Sequence, residues 1–142
     1  DLMAIVGIGD KLGILTIEAK VDEGFDKTIA EWLASGSAGK RARLAGLCAL
    51  LGLEEAAVSA LRYQLFHRTA SAVLEAKRYR AGQAAMIVQS WSQINCGWSD
   101  YQSFFNVLGL RDLVIGRLSA PLLIDGILLQ TAWSNESQSG RA

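Results

Sequence analysis

Asp1, Glu18 and Lys20 are the residues whose types and spacing suit a chemical task. Side chains alternate across an extended strand, so a carboxylate and an ammonium two positions apart point the same way. In the segment from Ile14 to Glu23, the residues Thr16, Glu18, Lys20 and Asp22 share one face, while Ile17, Ala19 and Val21 share the other. Two apolar, β-branched runs, Leu2 to Ile8 and Ile14 to Val21, flank the turn-forming residues Gly9-Asp10-Lys11-Leu12-Gly13 and read as a β-hairpin. Pairing back from that turn brings Asp1 opposite the neighbourhood of Glu18 to Asp22, to within about two residues of register. Two carboxylates and one lysine then converge at one end of the hairpin. Such a group suits a hard divalent ion: Mg²⁺ prefers oxygen ligands and keeps several waters, so one or two carboxylates suffice to hold it. Phosphodiester cleavage uses such an ion to polarise the phosphate and acidify a bound water, and a neighbouring ammonium to orient the nucleophile or offset developing charge. Glu23, at the end of the strand, is a further candidate for an outer-sphere or second-metal role. The competing reading makes Glu18 and Lys20 a solvated ion pair of little energetic value and Asp1 a loose terminus.

The elements that must position these groups follow along the chain. The near-continuous apolar first strand fits an α/β protein in which one mixed central β-sheet is flanked by helices. Phe25, Ile29, Trp32 and Leu33 recur at helical spacing, with Asp26 able to cap. Lys40 to Leu51 reads as a helix ending at Gly52. Glu54 to Ala81 is a long helical stretch, with a break near Leu61 allowed. Ala84 to Trp91 reads as a buried strand, and Ser99-Asp100-Tyr101-Gln102 as a capping box opening a helix through Leu108. Leu122 to Ile124 and Ile127 to Trp133 are expected to be two edge strands around Asp125-Gly126, with Pro121 limiting the first to an edge. Residues 1–142 form one domain, with 134–142 a frayed tail.

Composition narrows the function classes. A hydrophobic fraction of 51% in 142 residues is enough for a continuous core, and 14 basic against 14 acidic side chains exclude the global positive potential of a polybasic DNA binder. Nucleic-acid affinity must therefore come from local patches. The two cysteines, Cys48 and Cys96, fit neither a disulfide framework nor a paired-cysteine zinc site, which points to free thiols in a reducing cytoplasm. With one histidine, a multi-His zinc centre and a His-based triad are excluded. No apolar run reaches the roughly 20 residues of a membrane span, and no signal-peptide pattern is present. The chain opens at Asp1 without an initiator methionine, so a trimmed or renumbered N-terminus is expected. Gly36-Ser37-Ala38-Gly39-Lys40 lacks the glycine spacing and the following Ser or Thr of a phosphate-binding loop.

An aspartate, a hairpin, and then Ile17-Glu18-Ala19-Lys20-Val21 resembles the Asp…Glu-x-Lys signature of the PD-(D/E)XK nuclease superfamily. The similarity extends to element order, with a helix (Tyr63 to Ala81) and a further strand (Ala84 to Trp91) after the Glu-x-Lys strand, so it covers most of residues 1–91. The resemblance implies a restriction-endonuclease-like core that starts with the hairpin and a metal-dependent endonuclease acting on DNA. In it Asp1 and Glu18 would bind Mg²⁺ or Mn²⁺, and Lys20 would stand beside the attacking water. The proline that precedes the aspartate in the family, its opening helix and its first strand have no counterpart in this sequence. Some members have lost a ligand, so a non-catalytic interaction or nucleic-acid-binding module is the alternative.

Gln64, His67, Arg68, Ser71 and Glu75 recur at three- and four-residue spacing and form one polar helix face. The resemblance implies secondary catalytic roles for Gln64 and His67; a lone histidine on a packed helix is otherwise a hydrogen-bonded structural residue. Lys40, Arg41 and Arg43, together with Arg68, Lys77, Arg78 and Arg80, are the candidate phosphate contacts. Solvated helix ends read equally well for the two clusters. Trp91, Trp98 and Trp133 suit base stacking or, more commonly, core packing. Many superfamily members dimerise, which implies a homodimer.

Overall fold

The hairpin is formed by β1 (Leu2–Ile8) and β2 (Lys11–Lys20). Its turn is the pair Gly9-Asp10, and Gly9 has φ +62°, the sign that a two-residue connection needs and that glycine adopts without steric cost. The computed structural model of the protein describes residues 1–136. Among them the remaining elements are α1 (Ile29–Leu33), α2 (Ala38–Leu51), α3 (Glu55–Val58), α4 (Tyr63–Arg78), β3 (Gln83–Ser90), α5 (Trp98–Leu108), β4 (Leu122–Ile124) and β5 (Ile127–Asn135).

The five strands form one mixed sheet in the order β1-β2-β3-β5-β4. β1 is antiparallel to β2, β2 and β5 are both parallel to β3, and β4 closes an antiparallel edge on β5. The α/β fold class expected from the sequence is therefore the observed one. The two parallel connections run through α4 and α5 in the same direction across the sheet, and right-handed crossovers place both helices on one face. Residues on that face are buried: Ile14, Thr16, Glu18 and Lys20 of β2, Ala84, Met86, Val88 and Ser90 of β3, and Ile127, Leu129, Thr131 and Trp133 of β5. The alternate residues Leu15, Ile17, Ala85, Ile87 and Ala132 are half-buried. The core lies between the sheet and Leu65, Phe66, Ala72 and Val73 of α4 with Tyr101, Phe104 and Phe105 of α5.

Several boundaries differ from those the sequence suggests. Phe25 and Asp26 precede the first helix, which starts one turn later because Thr28 and Glu31 form a reciprocal capping box. The break near Leu61 is real. The segment 59–62 gives its backbone to the first turn of α1, with Ile29 N donating to Leu61 O at 2.9 Å and Ala30 N to Ser59 O at 2.9 Å. Ser99 does not cap α5; Gly97 occupies that position with φ +90°, and Asp100 accepts from Arg62 Nε at 3.0 Å instead. β5 is an interior strand between β3 and β4, not an edge, and it includes Ser134 and Asn135, which the sequence had assigned to a tail; 137–142 lie outside the described residues. β4 is the edge strand that Pro121 announces. Trp133 is fully buried and Trp98 packs edge-on against it, whereas Trp91 stays 43% exposed. Among the described residues no helix is long and apolar enough to cross a membrane.

Candidate functional site

The hairpin register pairs Leu2 with Ile17, so Asp1 stands level with Glu18, inside the window the turn allows. Glu18 and Lys20 are 3% and 5% exposed, and they are the only charged residues buried among those described. A solvated ion pair on an open strand is thereby ruled out. Burying two charges costs several kcal/mol per ion unless geometry and hydrogen bonds compensate, so the surroundings must supply partners.

The first turns of α4 supply them. Gln64 lies over the end of β2 with its amide oriented by two opposite demands: Oε1 accepts from Lys20 Nζ at 2.9 Å, and Nε2 donates to Glu18 Oε1. One turn on, Arg68 Nε donates to Glu18 Oε2 at 2.8 Å, and its terminal Nη2 pairs with Asp1 Oδ2. Lys20 Nζ also lies 3.6 Å from Glu18 Oε1, 3.4 Å from the Gly24 carbonyl and 5.1 Å above the Phe25 ring. Asp1, Glu18, Lys20, Gln64 and Arg68 thus form one continuous polar network roofed by Phe25. Burial pushes the Glu18 carboxyl above its ordinary value, with Glu23 adding to the shift and Lys20 and Gln64 opposing it. Desolvation therefore outweighs the partners, the condition in which a buried carboxylate is held at a cost to stability.

The network opens to solvent on one side. Side-chain exposures of 42% for Asp1 and 34% for Arg68 mark its mouth, beside a cavity of about 250 Å³ lined by Asp1, Met3, Thr16, Arg68, Ser71 and Glu75. A larger depression of about 490 Å³ between α2 and α4 lies away from these groups and is lined mainly by aliphatic residues such as Leu47, Leu50 and Leu74.

Other candidates stand elsewhere. His67 stacks on Tyr63 at 5.8 Å between ring centroids, and Tyr63 stacks on Trp32 at 4.0 Å. Burial first, and the Arg43 charge second, lower the His67 pKa and favour the neutral ring. The helix turns it off the Gln64–Arg68 line, into an aromatic ladder. Glu23 accepts from Val21 N at 3.2 Å, which holds its carboxylate against the backbone. Lys40 Nζ donates to Trp32 O at 2.8 Å and lies 5.2 Å over that ring, closing α1, while Arg41 and Arg43 are exposed. Lys77 pairs with Asp125, Arg78 reaches Glu75 at 3.7 Å, and Arg80 is exposed. This second cluster sits at the far end of α4, about 20 Å from Gln64 at 1.5 Å per residue. Sequence reasoning did not find two members of the site. Arg68 appeared on the polar helix face with Gln64 but only as a phosphate contact, although its i,i+4 relation to Gln64 held the signal. Phe25 appeared only as a helix residue.

Among the described residues no group of three or more His, Cys, Asp or Glu side chains is placed to hold a metal ion. Two carboxylates are nevertheless within the needs of Mg²⁺, which completes its shell with water and substrate phosphate. The donors present are the carboxylates of Asp1 and Glu18, and the guanidinium of Arg68 spans them both. No His or Cys side chain is among them, whereas zinc sites are built mainly on nitrogen and sulfur ligands.

Fold and site together define an α/β domain with a buried glutamate–lysine pair at the carboxyl end of a sheet strand, clamped by a helix. The chain belongs to the family described as Domain of unknown function (DUF6946), whose sequence profile matches residues 1–138. No curated protein and no solved structure matches it.

Proposed function

We propose that this domain is a metal-dependent nuclease of the PD-(D/E)XK type that hydrolyses phosphodiester bonds of DNA with Mg²⁺ or Mn²⁺. The observation that carries the reading is the burial of Glu18 and Lys20 side by side, with Asp1 level with them on the neighbouring strand. A desolvated carboxylate contributes little net stability, which supports a functional reason for its burial. The antiparallel hairpin followed by a helical crossover to a parallel strand also agrees with the element order of that superfamily.

In this reading Asp1 and Glu18 would hold the ion, which supplies charge neutralisation at the phosphate and an acidified water. Lys20, fixed by Gln64 and the Gly24 carbonyl, donates toward the attacking oxygen or the developing negative charge. Gln64 keeps the lysine and the glutamate in register. The N-terminal turn of α4, which carries Gln64, adds a partial positive charge where an anionic group would lie. Arg41 and Arg43, exposed on α2, suit the backbone of the same DNA. His67 has no part in this scheme. A cytoplasmic location and a homodimer joined through the exposed β1 edge complete the proposal.

The test is plasmid nicking with Mg²⁺ or Mn²⁺ by the wild type and Lys20→Met, which fills the same volume without the charge. The variant is expected to lose roughly 100-fold or more in rate while keeping its circular dichroism spectrum. Undiminished cleavage by Lys20→Met would end the assignment.

A second reading, a non-catalytic interaction module, is favoured by one observation: Arg68 already bridges both carboxylates. Failure of both the folded wild type and a folded Arg68→Gln variant to bind Mn²⁺ at millimolar concentration would favour it.

A further inference from the structure

Arg68 occupies the position between the two carboxylates that a divalent ion would need. Its Nε is 2.8 Å from Glu18 Oε2 and its Nη2 contacts Asp1, so the planar fork engages one carboxylate through each arm. The two other contacts of Glu18 leave Arg68 out: Lys20 Nζ and Gln64 Nε2 both meet Oε1, the opposite oxygen. Arg68 is 34% exposed and sits at the mouth, whereas Lys20 is enclosed. The guanidinium can therefore leave into water without breaking the Glu18–Gln64–Lys20 clamp. The charges also close. Among the groups in direct ion-pair contact, Asp1 and Glu18 against Lys20 and Arg68 make a neutral cluster. A divalent ion entering beside a retained Arg68 would leave two uncompensated positive charges in a partly buried site. Exchange of the guanidinium for the ion leaves one, which a single phosphodiester cancels.

We infer that Arg68 is an internal counter-cation that a divalent metal must displace, so that metal entry is suppressed until a singly charged phosphate group balances the exchange. The inference builds on the metal-site reading of Asp1 and Glu18 and adds to it a residue that sets the affinity. Removal of the guanidinium should strengthen metal binding, the opposite of what a metal-positioning or purely structural residue would do.

The experiment is Mn²⁺ titration, without DNA, of the wild type, Arg68→Gln, Arg68→Lys and Glu18→Gln, followed by calorimetry and by the loss of the free-ion electron paramagnetic resonance signal. Arg68→Gln is expected to bind Mn²⁺ at least tenfold more tightly than the wild type, equivalent to about 1.4 kcal/mol. Arg68→Lys, which keeps the charge but cannot bridge two carboxylates, should fall between them, and Glu18→Gln should bind none. Wild-type binding equal to or tighter than that of Arg68→Gln overturns the displacement and leaves the metal site standing. Absence of binding in the wild type and in both folded Arg68 variants overturns the metal site and the displacement together.

Discussion

Gln64→Glu puts a second carboxylate against Glu18 without changing side-chain length, and its consequence can be worked out from the contacts. In the wild type the amide accepts from Lys20 at 2.9 Å through one atom and donates to Glu18 through the other. The substitution keeps the acceptor and turns the donor into an anion. Two like charges about 4 Å apart repel by about 4 kcal/mol at an effective dielectric of about 20. On the same footing the new charge gains about 6 kcal/mol from Lys20 at 2.9 Å, so the loss comes from burying a third ion, which costs several kcal/mol, and a net loss of about 2 kcal/mol is expected at pH 8. For a chain of this length that corresponds to a fall in Tm of roughly 6–8 °C. The sign with pH is fixed. Burial already raises the Glu18 pKa, and a second carboxylate raises it further, so acid lets the pair share a proton. The deficit should be smaller at pH 5 than at pH 8, because acid favours the shared proton. Mn²⁺ should recover more Tm in the variant than in the wild type, because three carboxylates then face the ion. Thermal melts by circular dichroism at both pH values, with and without Mn²⁺, read all of this. An unchanged Tm at pH 8 would show that Glu18 and Gln64 do not touch as charged and amide groups, and the electrostatic account of the site would fall.

Two further outcomes follow from the same geometry. Because the folded-state pKa of Glu18 is raised above its ordinary 4.5, the stability it contributes is full below that value and is lost as pH rises through the folded one. Relative to Glu18→Gln, the wild type should therefore lose stability between pH 4 and 8. Its Mn²⁺ affinity should weaken as pH falls, since proton and ion compete for the same oxygens; parallel melts and titrations that show no pH-dependent difference would contradict this. At the sheet edge, β1 carries no charge, and Leu2, Ile5 and Ile8 are 57%, 47% and 46% exposed, an unprotected strand of the kind that pairs with a copy of itself. Light scattering should give twice the single-chain mass for the wild type and the single mass for Ile5→Lys, and a monomeric wild type would remove the dimer.

The sequence by itself determined what local periodicity encodes. Alternation placed Glu18 and Lys20 on one face of a strand, the turn residues between Gly9 and Gly13 set the register of Asp1 to within about two residues, and the three- and four-residue spacing of Gln64 and Arg68 put them on one side of a helix. These are relations between residues close in the chain or joined by a tight turn, and each fixes a direction for a side chain. Which direction is covered was decided by the tertiary structure. Glu18 and Lys20 could have faced water. They are buried because two successive right-handed crossovers lay α4 and α5 on that side of the sheet. The same packing divided the polar face of α4, sending Arg68 between Asp1 and Glu18 while His67 went to the Tyr63–Trp32 stack. It also drew Phe25 over Lys20 and placed β5 inside the sheet. Partners 40 to 70 residues apart leave no periodic trace in one sequence, so the identity of the cation between the carboxylates was legible only once the helix lay across the strand.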